Sequence, residues 1–75
     1  MNNERRKQLR ELIKKIEVLK DELERIENDE EFAYDSMPEG LQATLNGMNS
    51  EEAIDKMNEA IECIDEAIEC IEEII

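Results

Sequence analysis

The chain has 75 residues and a mass of 8.8 kDa, fewer than the ~100–200 residues of an ordinary domain, which excludes most enzyme folds. Its residues are 41% charged and 3% aromatic, with 22 acidic against 9 basic side chains and a net charge of −13. This composition is typical of helical or disordered chains. The negative field disfavours direct binding to nucleic acid or lipid headgroups and favours a basic protein surface as a partner.

The first predicted element is a long amphipathic helix over residues 3–34. Its apolar residues are spaced three and four apart, which is the a/d pattern of a helix with one apolar seam. Ile13 and Val18 widen this stripe on either side, and Phe32 and Tyr34 are expected to close one end of the fold. The predicted seam consists of Leu9, Leu12, Ile16, Leu19, Leu23 and Ile26.

A linker is predicted over residues 35–49, which contain the only proline and both glycines. Ser36 and Glu39 have the spacing of a helix capping box, so a short helical turn is expected over about 38–45. The Asn46-Gly47 pair that follows is typical of a stop.

The last predicted helix, over residues 50–75, is a repeat of seven residues that begins Glu-Ala-Ile in each copy. Its a/d seam consists of Ile54, Met57, Ile61, Ile64, Ile68, Ile71 and Ile75. A second seam beside it consists of Ala53, Ala60, Ala67 and Ile74 with Cys63 and Cys70. Because the two seams together cover about half of the helix circumference, this helix is expected to touch at least two others.

The charges at the chain ends predict an antiparallel hairpin. The basic start of the first helix and the acidic end of the last each oppose the helix macrodipole alone, but they pair as neighbours in a hairpin. A hairpin leaves half of the wide apolar face exposed, so the expected fold is all-α, a helical hairpin that forms a homodimeric four-helix bundle. A tetramer stays open because Ile at both a and d favours higher states. The residues expected to self-associate are Leu12, Ile16, Leu19, Leu23, Ile26, Ile54, Met57, Ile61, Ile64, Ile68 and Ile71.

The sequence predicts no catalytic centre, cofactor or metal site. Bundle metal sites use Glu-x-x-His motifs, and this chain has no histidine. Cys63 and Cys70 would lie ~10 Å apart on one helix, beyond the ~7 Å limit for a disulfide, so both are expected to be reduced, buried packing residues. A bridge from Cys63 of one chain to Cys70 of another is the alternative. Since no apolar run reaches the ~18–20 residues of a membrane span, the expected location is the cytoplasm, without membrane contact.

The expected function is that of a non-catalytic protein–protein interaction module, with two alternatives. One is an acidic inhibitor that imitates the phosphates of nucleic acid and blocks a basic site. The other is a structural coiled-coil scaffold. Local capping of the bundle is the competing role for Met37, Leu41 and Gln42. The candidate partner contacts are Met37, Pro38, Glu39, Leu41, Gln42, Glu62, Asp65, Glu66 and Glu69.

The central segment, residues 35–42, contains the motif Pro-Glu-x-Leu-Gln from Pro38 to Gln42. With the terminal Glu-Ala-Ile repeats, it resembles a group of short helical proteins of Firmicutes, their phages and other mobile elements. The similarity spans the whole chain, although members often carry Asn where Gly40 stands here. The resemblance implies a small accessory protein of the host cytoplasm, with inhibition of a host enzyme or defence system as one expected role and residues 35–42 as a candidate contact segment.

Overall fold

The computed structural model describes all 75 residues and shows three helices arranged as an antiparallel hairpin, without strands. Helix α1 comprises Asn3–Asp35, the short helix α2 comprises Glu39–Gln42, and α3 comprises Leu45–Glu72. The two long helices pack against each other along a molecule of 58 × 15 × 12 Å. The prediction of an all-helical hairpin is therefore confirmed.

Helix α1 begins where the sequence predicted because Asn2 caps it. The Asn2 Oδ1 atom accepts a hydrogen bond from the Arg5 backbone N–H at 2.8 Å, which satisfies one of the free amides of the first turn. Of the two aromatic residues near its end, Tyr34 is half-buried, whereas Phe32 is 75% exposed. The expectation that both rings close the fold is therefore wrong for Phe32.

Ser36 does not form the predicted capping box with Glu39. Its hydroxyl instead donates to the backbone carbonyl of Phe32 at 2.8 Å, so it satisfies the C-terminal end of α1. Helix α2 follows Pro38 without any side-chain cap. The capping-box spacing was misleading because a serine just after a helix can bond backward as well as forward.

Helix α3 begins at Leu45, five residues before the predicted start at Ser50. Thr44 caps it, since its hydroxyl accepts a hydrogen bond from the Gly47 N–H at 3.4 Å. Gly47 was predicted to stop a helix, but it is buried in the first turn of α3. A Cβ at this position would lie only 2.7 Å from the Gln42 Cα, so the glycine permits the start of α3 to approach the end of α2.

The core of the hairpin is a thin seam between α1 and α3. Its only buried apolar side chains are Ile13 and Ile68, each 7% exposed. The predicted a/d seam of α3 faces α1, with Ile68 buried and the others half-covered: Ile54, Met57, Ile61, Ile64, Ile71 and Ile75. A single hairpin therefore covers this seam from one side only.

Candidate functional site

The inward side of α1 differs from the predicted seam. Ile16 and Leu23 are half-buried as expected, but Leu12, Leu19 and Ile26 are exposed by 44%, 59% and 52%. The positions one residue further along face α3 instead, namely Ile13, Lys20 and Glu27. Within the chain, α1 is thus turned so that half of its predicted seam points away from α3.

The exposed residues of both helices lie on the same side of the hairpin. Leu19 precedes the inward-facing Lys20 by one residue, and Ala67 likewise precedes the inward-facing Ile68. In two antiparallel helices, residues one position before the inward ones fall on one common side. Ile26 of α1 and Ala53 of α3 accordingly line one shallow depression, which they share with Met57 and with the polar residues Glu30, Asn46, Asn49 and Ser50. We call this surface the apolar face, consisting of Leu12, Leu19, Ile26, Ala53, Ala60, Ala67 and Ile74, all of them exposed.

The edge of the seam opposite the apolar face, which we call the polar face, carries charged contacts between the helices. Glu24, Asn58 and Asp65 lie there, and the inward-facing Lys20 and Glu27 contact them. The Lys20 Nζ lies 2.6 Å from Asp65 Oδ1 and 3.6 Å from Glu24 Oε1. The hydrogen bond to Asp65 raises the pKa of the Lys20 ammonium, which holds its charge firmly at neutral pH.

Glu27 is the one buried charged residue, 5% exposed. Its Oε1 accepts a hydrogen bond from the Asn58 amide at 3.5 Å. Burial raises the pKa of Glu27 and the nearby Glu31 raises it further, while the Asn58 hydrogen bond lowers it. Burial also raises the pKa of Tyr34, whose hydroxyl lies 3.5 Å from Glu51, the third polar contact between α1 and α3.

The acidic candidates for partner binding follow the outer side of α3. Glu62, Glu66 and Glu69 are exposed. Asp65 is half-buried and forms an ion pair with Lys20, so its carboxylate holds the two helices together and is less available to a partner than the exposed glutamates.

The candidates around α2 divide into two groups. Pro38, Glu39 and Leu41 are exposed, whereas Met37 and Gln42 are half-buried. The Gln42 amide donates to the Tyr34 carbonyl at 2.9 Å and so ties the linker to α1. This contact favours the capping role for Gln42. The structure does not join α2 to the acidic row, because Asp65 lies some twenty residues, or about 30 Å, along α3 from its start.

Both cysteines are free and exposed, so the expectation that Cys63 and Cys70 are buried packing residues is wrong for the single chain. They belong to the second seam of α3, which α1 does not cover. No group of three or more cysteine and carboxylate side chains is arranged to hold a metal ion. None of the three helices combines the length and the apolarity that crossing a bilayer requires.

Sequence reasoning missed the polar residues of the inter-helix seam. The sequence contains a second seam on α1, because four inward residues follow one another at intervals of seven: Ile13, Lys20, Glu27 and Tyr34. It was overlooked because charged residues are seldom buried without a partner, and the partners lie on the other helix.

Comparison of the chain with protein-family models, with curated proteins and with solved structures found no match. A functional interpretation therefore rests on the geometry of the apolar face and the polar face.

Proposed function

We propose that this chain is a non-catalytic helical interaction module that functions as a homodimer, in which two hairpins pack through their apolar faces into a four-helix bundle. The observation that carries the proposal is the apolar face itself. Leu12, Leu19 and Ile26 repeat every seven residues on the same side as the alanines of α3. Apolar side chains in such a periodic stripe are those that helices use to pack against other helices.

The exposed area of the hairpin supports the same proposal. A folded monomer of this mass exposes about 4,800 Å² by the usual scaling with size. The hairpin exposes 5738 Å², an excess of roughly 950 Å² over that scaling. A standard protein interface buries about 800 Å² on each partner. Pairing of two copies would thus bring the exposed area of each chain to that of an ordinary folded protein.

The bundle keeps its acids outside. Glu62, Glu66 and Glu69 lie on the outer side of α3, away from the apolar face. A basic protein surface is the partner that this row of carboxylates attracts, through a field that steers association. A cytoplasmic accessory protein of a phage or mobile element, as the sequence resemblance implies, would meet such a partner in its host.

The test compares Leu19→Asn with Val18→Asn, two neighbouring substitutions that leave the net charge unchanged. Leu19 and Val18 are each 59% exposed in the hairpin, but only Leu19 lies on the apolar face. Because a dimer buries Leu19 twice, Leu19→Asn should raise the dimer dissociation constant about 100-fold or more. Val18→Asn should leave it unchanged.

Sedimentation equilibrium across a concentration series, with helicity followed by circular dichroism, measures both effects. A wild-type chain that stays monomeric at about 100 μM, ~100 times a micromolar dissociation constant, would contradict the proposal. So would a Leu19→Asn variant that dimerises as tightly as the wild type.

A further inference from the structure

The alignment of α1 with α3 is given by three polar contacts. They join Tyr34 to Glu51, Glu27 to Asn58 and Lys20 to Asp65. In every pair the two residue numbers add to 85, so each residue of α1 from Arg10 onward has a neighbour of known number in the α3 region. Accordingly Leu12, Leu19 and Ile26 lie within one residue of the levels of Ile74, Ala67 and Ala60. Six of the seven residues of the apolar face therefore form three layers along the hairpin, and Ala53 lies beyond them toward the loop.

Charge is distributed unevenly along the length of the hairpin. Residues 21–64, the half that contains the loop, hold fourteen acids against Arg25 and Lys56, a net charge of −12. At the open end, residues 1–20 hold seven bases and three acids while residues 65–75 hold five acids, so this half is nearly neutral. Helix α1 itself changes sign, from +4 in its first half to −7 over residues 21–35.

This charge distribution distinguishes the two ways in which a second copy can cover the apolar face with twofold symmetry. If both loops lie at the same end, the two strongly acidic halves are adjacent and repel each other. If the loops lie at opposite ends, each acidic half lies beside a nearly neutral half. In that second arrangement α1 also runs antiparallel to α1 of the other copy, so its +4 half meets the −7 half.

We propose that the occupant of the apolar face is a second copy in the opposite orientation, α1 against α1 and α3 against α3, with the loops at opposite ends. This inference rests on the homodimer proposed above and specifies its geometry. The twofold axis passes through the level of Leu19. Residue 19 is the midpoint of α1, and an axis there places Leu12 of one copy against Ile26 of the other and Leu19 against its own counterpart.

Because residues 19 and 66 lie at the same level of the hairpin, the same twofold axis crosses α3 near residue 66. Cys63 of one copy then faces Cys70 of the other, because their midpoint lies within one residue of that level. Both thiols are exposed in the single hairpin and lie beside the apolar face. In the arrangement with both loops at one end, the two α3 helices are diagonal and α1, which has no cysteine, separates them.

The identity of the cysteines that cross-link therefore reports the orientation of the two copies in the dimer. The reduced dimer is treated with diamide, which takes two electrons and two protons from each pair of thiols as a disulfide forms. The expected product is a covalent dimer with Cys63 joined to Cys70, identified by mass spectrometry after cleavage at the glutamates between them. Cys63→Ser and Cys70→Ser are matched controls. Each should form covalent dimer at least 10-fold more slowly, since like cysteines lie about 10 Å apart along the axis.

A distance measurement between the loops gives an independent answer. A Cβ added at Gly40 would have no other atom within 4 Å, so a spin label on Gly40→Cys, in a chain with Cys63→Ser and Cys70→Ser, leaves the hairpin undisturbed. Loops at opposite ends place the two labels about 60 Å apart by the helical rise from Leu19. Loops at the same end place them within about 25 Å, the width of two helices with their linkers.

Each outcome bears on a different proposal. A mixed Cys63–Cys70 cross-link with a long label distance supports the opposite orientation. A stable dimer with a short label distance, or with only like-to-like cross-links, overturns the orientation and leaves the homodimer intact. A chain that sediments as a monomer before oxidation overturns both.

Discussion

The two long helices contribute differently to the same seam. The inward side of α3 is apolar from Ile54 to Ile71. The inward side of α1 begins with Ile13 and then alternates apolar and charged residues, among them Lys20 and Glu27. Leu12, Leu19 and Ile26, which α1 omits from the seam, are exposed on the apolar face.

The two helices therefore have different roles in the seam: α3 contributes apolar surface, and the polar residues of α1 determine how the helices are aligned. The apolar seam of α3 provides apolar surface that packs on α1, but its isoleucines repeat every seven residues and so do not by themselves fix the alignment of the two helices. The pairs Lys20–Asp65 and Glu27–Asn58 exist in only one alignment. A shift would leave the buried Glu27 carboxylate without a partner, which is costly, so α1 sets the register.

The largest expected effect tests the contribution of α3. Ile68→Ala truncates one of the two buried apolar side chains and should lower the free energy of unfolding by about 2–4 kcal/mol. Val18→Ala, on the outer side of α1, should change it by less than about 0.5 kcal/mol. Urea unfolding at fixed protein concentration, followed by circular dichroism, measures both. Equal losses would show that the seam is not the core.

A smaller effect tests how the linker positions α3 against α1. Gly47→Ala forces a Cβ into the Gln42 backbone and should cost about 1–3 kcal/mol, visible as a lower melting temperature. Gly40→Ala meets no atom within 4 Å and lies in α2, so it should be neutral or stabilising by up to about 1 kcal/mol. A Gly47→Ala variant that melts at or above the temperature of the wild type would be inconsistent with this close approach.

The smallest effect tests the polar half of the α1 seam through its pH dependence. Since burial raises the pKa of Glu27 above its usual 4.5, the folded chain holds this proton more tightly than the unfolded chain. Its protonation therefore favours folding at low pH, and this contribution is lost as the pH rises from 4.5 through the raised pKa. Glu27→Gln should be more stable than the wild type at about pH 7, with the difference vanishing near about pH 4.

Glu22→Gln is the matched control for this prediction, because it removes the same charge from an exposed position of α1. Unfolding curves at a series of pH values distinguish the two variants. If both variants gain the same stability at neutral pH, relief of the overall negative charge explains the effect and the buried position of Glu27 does not.

The seam of α3 was predictable residue by residue, whereas the seam of α1 was not. In α3 the large residues occupy one series of positions, and the second seam is mainly alanine and cysteine. Packing the isoleucine seam against α1 therefore removes more apolar area from water than packing the second seam would. In α1 both the series that contains Leu12 and the series that contains Ile13 continue from Leu9 with spacings of three and four. Local spacing cannot choose between them.

The linker was predicted in outline but not in detail. Its glycines and proline correctly placed the reversal of the chain between two helices. The start of α3 was missed because Gly47 has the local signature of a helix stop, and only its contact with the Gln42 backbone shows why a glycine is needed inside the helix. The exposure of Cys63 and Cys70 in the single chain follows from the width of the apolar arc on α3, which exceeds what one neighbouring helix covers.

The sequence by itself determined that two long helices form, that they fold back on one another, and that more apolar surface is present than one hairpin covers. These properties follow from periodicity and charge, which act within a helix or between whole helices. Only the tertiary structure decided how far α1 turns about its own axis. That rotation depends on which side chains of α1 find partners on α3, and pairing Lys20 with Asp65 and Glu27 with Asn58 turns Leu12, Leu19 and Ile26 outward.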